Sequence, residues 1–147
     1  MYTLSERGVA VTPTLLQINE FEAIAGRAQA RYPLFAARMR DLHERRYEQV
    51  RQLHEAGIQL LVGTDAGGTI GHGRIADECA EMVAAGVPTS DVVAAASWQG
   101  REFLGYGALV EGSSADLVVY PEDPRTNIEV LRHPKAVVLR GEIVAPR

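Results

Sequence analysis

One apolar run that stops at a carboxylate constrains this chain more than any other stretch in it: Leu60-Leu61-Val62-Gly63-Thr64-Asp65-Ala66-Gly67-Gly68. The β-rich run ends at Asp65, and small residues follow at once. A strand that delivers one Asp at its C-terminal end, onto a Gly-rich loop, is how α/β barrels present a catalytic or metal-binding carboxylate. What the rest of the chain offers that Asp then decides what chemistry is open to it.

With 147 residues, 46% of them hydrophobic and 23% charged, the chain has the composition of one ordinary globular domain or a piece of a larger one. It falls far short of the roughly 250 residues of a complete eightfold α/β barrel. A net charge of −4 and an isoelectric point near 5.6 argue against a nucleic-acid partner. Arg38, Arg40, Arg45 and Arg46 do cluster, but Asp41, Glu44 and Glu48 are interleaved with them, which is the mark of a solvated helix face. Cys79 is the single cysteine, so no internal disulfide or thiolate metal site is suggested. Beside Ala80 and Met82 it reads as a small buried thiol. There is no charged-then-apolar leader and no apolar run approaching about 18 residues, so no membrane partner is expected and the cytoplasm is the expected location.

Gly8 to Leu16 reads as a short buried strand ending at Pro13, because proline cannot donate to a ladder. From Glu20 to Ala56 the spacing of Phe35, Met39, Leu42, Arg46, Val50 and Leu53 predicts helix, divided in two at Pro33. Gly57 ends the second helix, and Ile58 to Val62 forms the strand that carries Asp65. Ile75 to Ala85 is helical up to Gly86-Val87-Pro88. Another helix starts with Thr89 or Ser90 as its cap and runs to Gly105. Beyond Gly105 the texture changes: residues 115–120 and 136–139 are β-like, and a hairpin turn centres on Gly141-Glu142.

In this order the segments resemble the C-terminal portion of the amidohydrolase superfamily, in the branch of imidazolonepropionase-like and prolidase-like metal-dependent hydrolases. Ser5-Glu6-Arg7-Gly8-Val9-Ala10-Val11-Thr12-Pro13-Thr14-Leu15 is similar to the segment around the seventh barrel strand. Ala56 to Ala66 is similar to the eighth strand, and Glu78 to Gly86 to the helix after it. Gly112 to Tyr120, Asp123-Pro124, Val137, Arg140-Gly141 and Val144 resemble the family's return into an accessory β-sandwich. The resemblance implies an α/β fold. Residues 1–105 are then the last strands and helices of a (β/α)8 barrel, and residues 106–147 the C-terminal strands of the sandwich. Ser97-Trp98-Gln99-Gly100-Arg101 departs from the family's usual Asn-Ala-Ala run.

By the same resemblance Asp65 is both the metal ligand and the catalytic carboxylate that handles the proton of the attacking water. The implied reaction is hydrolysis of carbon–nitrogen bonds in cyclic amides or dipeptides, on a divalent metal of the zinc type. The family's His-x-His pair is missing: the histidines are His43, His54, His72 and His133. One carboxylate does not hold zinc, so this chain alone is expected to bind no metal tightly. For the chain alone, an Asp65 that merely caps local amides is the competing reading. The resemblance places the loop after the strand against a small-molecule substrate. His72 and Arg74 are then candidate substrate contacts, Arg74 as a bidentate carboxylate clamp. The alternatives are an unpartnered loop histidine and a surface arginine at a helix start. Asp116 reads as structural. The competing view of the whole chain is a non-catalytic barrel remnant. Uncovered strand edges would drive that remnant to self-associate as a homo-oligomer or to pair with a complementing chain.

Overall fold

The computed structural model describes residues 2–107 and 109–144. After a short helix α1 (Tyr2–Glu6), the chain runs extended and crosses a later segment once. Val11 N–H donates to the Gln59 carbonyl and Leu61 N–H to the Val11 carbonyl, both at 2.9 Å, forming a parallel bridge between Val11 and Leu60. The two expected strands, the first ending at Pro13 and the second over 58–62, are thus reduced to one bridge. Helix α2 (Leu15–Asn19) begins just after Pro13.

Helices α3 (Phe21–Ala28) and α4 (Pro33–Glu44) pack against each other, with Pro33 at the first helical position, where its missing N–H costs nothing. The expected second helix is two: α4 stops at Arg45, and α5 (Arg46–Glu55) follows. Arg46 Nη1 donates at 2.7 Å to the His43 carbonyl, which also accepts a backbone amide at the end of α4. No glycine or proline marks this break. Gly57, at φ +70°, closes α5 as expected.

Helix α6 (Ile75–Ala84) leads to α7 (Thr89–Ala96) and α8 (Trp98–Phe103). Two expectations fail here. Pro88 holds the cap position of α7, and no side chain, neither that of Thr89 nor that of Ser90, caps the helix. The single helix to Gly105 is broken at Ser97, whose hydroxyl donates to the Val93 carbonyl at 2.5 Å and competes with the backbone ladder.

The core gathers Leu15, Val50, Leu60, Cys79, Met82, Ala85, Val87 and Val92, so α2, α5, α6, α7 and the bridge segment share one apolar interior. Tyr47 on α5 donates to Glu81 on α6 at 2.6 Å, and His54 on α5 meets Asp91 on α7 at 2.9 Å.

The remaining elements are an antiparallel sheet in the order β1 (Leu117–Val119), β2 (Ala136–Leu139), β3 (Glu142–Val144), with a 3₁₀ turn Ile128–Arg132 between β1 and β2 that packs on α6. Leu139 pairs with Glu142, so the hairpin turn is Arg140-Gly141, one residue earlier than expected. Both turn residues have positive φ, 53° and 82°, as the tight turns that match strand twist require. Asp116 locks this corner: it accepts the Arg140 amide at 2.8 Å and faces Arg101 of α8 at 3.4 Å. The Arg140 amide, above all, holds its carboxyl below the usual carboxylate range. Asp116 is structural, as its place in the sequence suggested.

Candidate active site

The site candidates occupy one connection, from Leu61 at the bridge to Ile75 at the start of α6. Gly63 runs beside the earlier segment so closely that a Cβ built on it would sit 2.7 Å from the Thr12 methyl. Two residues later Asp65 takes a left-handed backbone, φ +54°, and exposes its side chain. An Asp tolerates this region better than most residues, yet it remains uncommon and directs the carboxylate out of the extended path. Among the described residues no backbone amide donates to this carboxylate, so it does not cap its own loop.

The loop beyond Asp65 is tied down at several points. Gly67 N–H donates to the Ile70 carbonyl at 3.1 Å, Ile70 is buried, and the Thr69 hydroxyl donates to Gln17 of α2 at 3.0 Å. His72 follows, exposed. Arg74 holds the cap position of α6, and its Nε lies 2.5 Å from Asp77 Oδ2. Asp77 also pairs with Arg132 of the 3₁₀ turn. Arg74 is therefore turned along its own helix onto a carboxylate of this chain. The fold puts Asp65, His72 and Arg74 on one connection but joins none of the three to another by a described hydrogen bond.

One functional-looking residue was not singled out from sequence. Glu78 on α6 is completely buried, with Oε1 accepting the Leu15 amide at 2.7 Å and Oε2 the Leu16 amide at 2.9 Å. Burial pushes its carboxyl above the ordinary range against the opposing pull of those two amides. The signal was present: Glu78 shares the apolar stripe of Cys79 and Met82, where an unpaired acid is expensive.

Among the described residues no group of three or more His, Cys, Asp or Glu side chains is placed to hold a metal ion. A cavity of about 800 Å³ lies elsewhere, between the sheet and helices α6 to α8, lined by residues such as Val93, Leu117, Tyr120, Leu131 and Val138.

Comparison with known proteins settles the lineage of this arrangement. The sequence profile of the amidohydrolase family matches residues 1–144. The chain belongs to the amidohydrolase family. Uncharacterised proteins of Mycobacterium tuberculosis and Mycobacterium bovis are 46% identical to it over 141 residues, covering 96% of this chain and 38% of theirs. A Bifidobacterium longum protein assigned as a prolidase is 28% identical, with a TM-score of 0.77, over 92% of this chain and 35% of that one. A Xaa-Pro dipeptidase crystallised with methionine in its active site shares the fold at a TM-score of 0.79 and 24% identity, over 97% of this chain and 36% of that chain. An Aspergillus niger ochratoxinase aligns at a TM-score of 0.77 and 23% identity, over 95% of this chain and 33% of that chain. This amidohydrolase chain thus spans 33–38% of the length of these relatives. Its α/β architecture corresponds to that part of the amidohydrolase fold, and no described helix is long and apolar enough to cross a membrane.

Proposed function

We propose that this chain supplies the proton-handling carboxylate, Asp65, of a metal-dependent hydrolase that cleaves carbon–nitrogen bonds in dipeptides or cyclic amides. The observation that carries the reading is Asp65 itself. It is exposed just past the Val11–Leu60 bridge, with a left-handed backbone and, among the described residues, no hydrogen bond to a local amide. In such a hydrolysis the water oxygen bonds to the carbonyl carbon as Asp65 accepts its proton. The carboxyl then returns that proton to the amine nitrogen as the carbon–nitrogen bond breaks. A divalent metal, zinc by family resemblance, would supply an acidified water. The described residues of this chain do not fit a complete site for it, and the other ligands are assigned to residues outside the chain. His72 is proposed as a substrate contact. Arg74 would serve as a carboxylate clamp only after exchanging Asp77 for the substrate.

The same reading takes residues 1–105 as the closing part of an α/β barrel and residues 106–147 as part of a β-sandwich. The parallel bridge supports the first assignment and the three-stranded antiparallel sheet the second. Further strands, from a second copy or a complementing chain, would then cover the apolar cavity beside β1. A cytoplasmic location is part of the same reading.

The deciding experiment supplies the matching remainder of a mycobacterial relative as a second chain and assays dipeptides and cyclic amides with zinc present. Hydrolysis that disappears in Asp65→Asn supports the proposal, and hydrolysis that survives that substitution removes Asp65 from it. Stoichiometric zinc retained by this chain alone would overturn the view that its ligand set is partial.

A further inference from the structure

Helix α2 has a start that its own sequence does not provide. Thr14 precedes it with φ 49° and gives no side-chain cap, while the first amides of any helix lack internal partners. Glu78 satisfies two of them from 62 and 63 residues away, and its side chain is entirely buried to do so. A local Ser or Asp cap would satisfy such amides without burying a carboxylate. The long-range arrangement does something a local cap does not: it fixes α2 to α6.

What α2 is fixed against is the Asp65 connection. Just before α2, the Thr12 methyl fills the space beside Gly63, two residues ahead of Asp65. Within α2, Gln17 accepts from Thr69, four residues after Asp65. The connection then enters α6 at Ile75 and returns to Glu78 within one turn. The contacts close a ring, with Asp65 on the arc between its two points of attachment.

We propose that Glu78 is a positioning residue for Asp65: by holding α2 it holds Thr12 and Gln17, and through them both flanks of the segment that presents the carboxylate. The functional importance of this ring rests on the reading of Asp65 as the proton-handling group, but its mechanics do not.

The test uses the full chain, isotope-labelled, and backbone amide NMR, with no turnover required. Glu78→Gln keeps the side chain's size but turns a donor toward one of the two amides. The Leu15 and Leu16 signals are expected to move, and those of Gly63, Asp65 and Thr69 to move with them, alongside a melting temperature lower by several degrees. Met82→Ala truncates a fully buried side chain on the same face of α6 and serves as the control for plain instability. It is expected to lower the melting temperature at least as much while leaving the Gly63, Asp65 and Thr69 signals in place. Unmoved Asp65 and Gly63 signals in Glu78→Gln, or equal movement in Met82→Ala, would overturn the proposal. Gln17→Ala alters only an exposed link, so it reads the ring even if Glu78→Gln does not fold. Asp65 and Thr69 are expected to shift there while Leu15 and Leu16 stay, and an unmoved Asp65 overturns the proposal. Lack of hydrolysis in the complemented enzyme would remove the catalytic reading and leave these signals as they are.

Discussion

Tyr47 and Glu81 join α5 to α6 through one hydrogen bond, the phenol donating to Oε2 at 2.6 Å. The Arg46 guanidinium covers the other side of the ring, 4.3 Å from its centre. The bond to Glu81, followed by burial and the charge of Glu81, raises the Tyr47 hydroxyl above its ordinary range. Replacing Tyr47 with Phe removes the donor and leaves a half-buried carboxylate that water can reach. The expected loss is about 1 kcal/mol in urea unfolding, near the middle of the range for one hydrogen bond. Glu81→Gln is expected to bring the phenol's ultraviolet titration back down, which a loss of packing alone would not do.

Cys79 is buried against α2 and α7, and burial, with the charge of Glu78 beside it, pushes its thiol up to about 12. At pH 8 roughly one thiol in ten thousand would be ionised, and the thiolate is the reactive form. Ellman's reagent should therefore leave the native chain unmodified over the time in which the urea-unfolded chain reacts fully. Rapid stoichiometric labelling of the native chain would contradict this packing.

Stability should respond to pH with two opposite signs. Burial raises Glu78 above 4.5 in the folded chain. Between 4.5 and the raised value the folded chain keeps a proton that the unfolded chain has released, so stability falls as pH rises through that window. Asp116 is held below 3.8, chiefly by the Arg140 amide, so its contribution is present above 3.8 and is lost as pH falls through the lowered value. Urea midpoints measured across acidic to neutral pH should show the descending limb shrink in Glu78→Gln. The ascending acid limb should shrink in Asp116→Asn. A Glu78→Gln profile parallel to wild type would place that carboxyl outside the low-dielectric interior.

Arg140 adopts φ 53° at the first position of a two-residue hairpin turn, a conformation that costs a side chain other than Asn, Asp or Gly. Asp116 binds its backbone amide and not its guanidinium, so the side chain is replaceable. Arg140→Asn is expected to stabilise the chain by about 0.5–1 kcal/mol, read as a higher urea midpoint at unchanged slope.

Much of the helical frame was legible because it is punctuated. Pro33 opens a helix, Gly57 and Gly105 follow helix ends, and the strands around residues 118 and 138 carry β-branched runs. The breaks at Arg45 and Ser97 were not legible, because neither is marked by glycine or proline; at Ser97 a hydroxyl takes a carbonyl within its own turn. Asp65 stood out because a local pattern announces it. Glu78 did not, since its partners at Leu15 and Leu16 are set by tertiary packing and leave no periodic trace. Arg74 and Asp77 sit at helical i,i+3 spacing, so their pairing was available from sequence, where Arg74 was weighed as a ligand clamp or a surface residue. The two expected strands came down to a bridge for a physical reason. A parallel strand draws its order from neighbours on both sides, and Val11 and Leu60 have only each other among the described residues.

That single bridge has a thermodynamic corollary. Among the described residues, two backbone hydrogen bonds at Val11 are all the ladder that aligns the segment leading to Asp65. Any strand that paired with either free flank would bind the ordered chain and not the unfolded one. Its free energy of association would then add to folding by mass action, growing with the concentration of the added strand. With such a strand present, the melting temperature would climb with its concentration, and the residues around Asp65 would be the first to report its arrival.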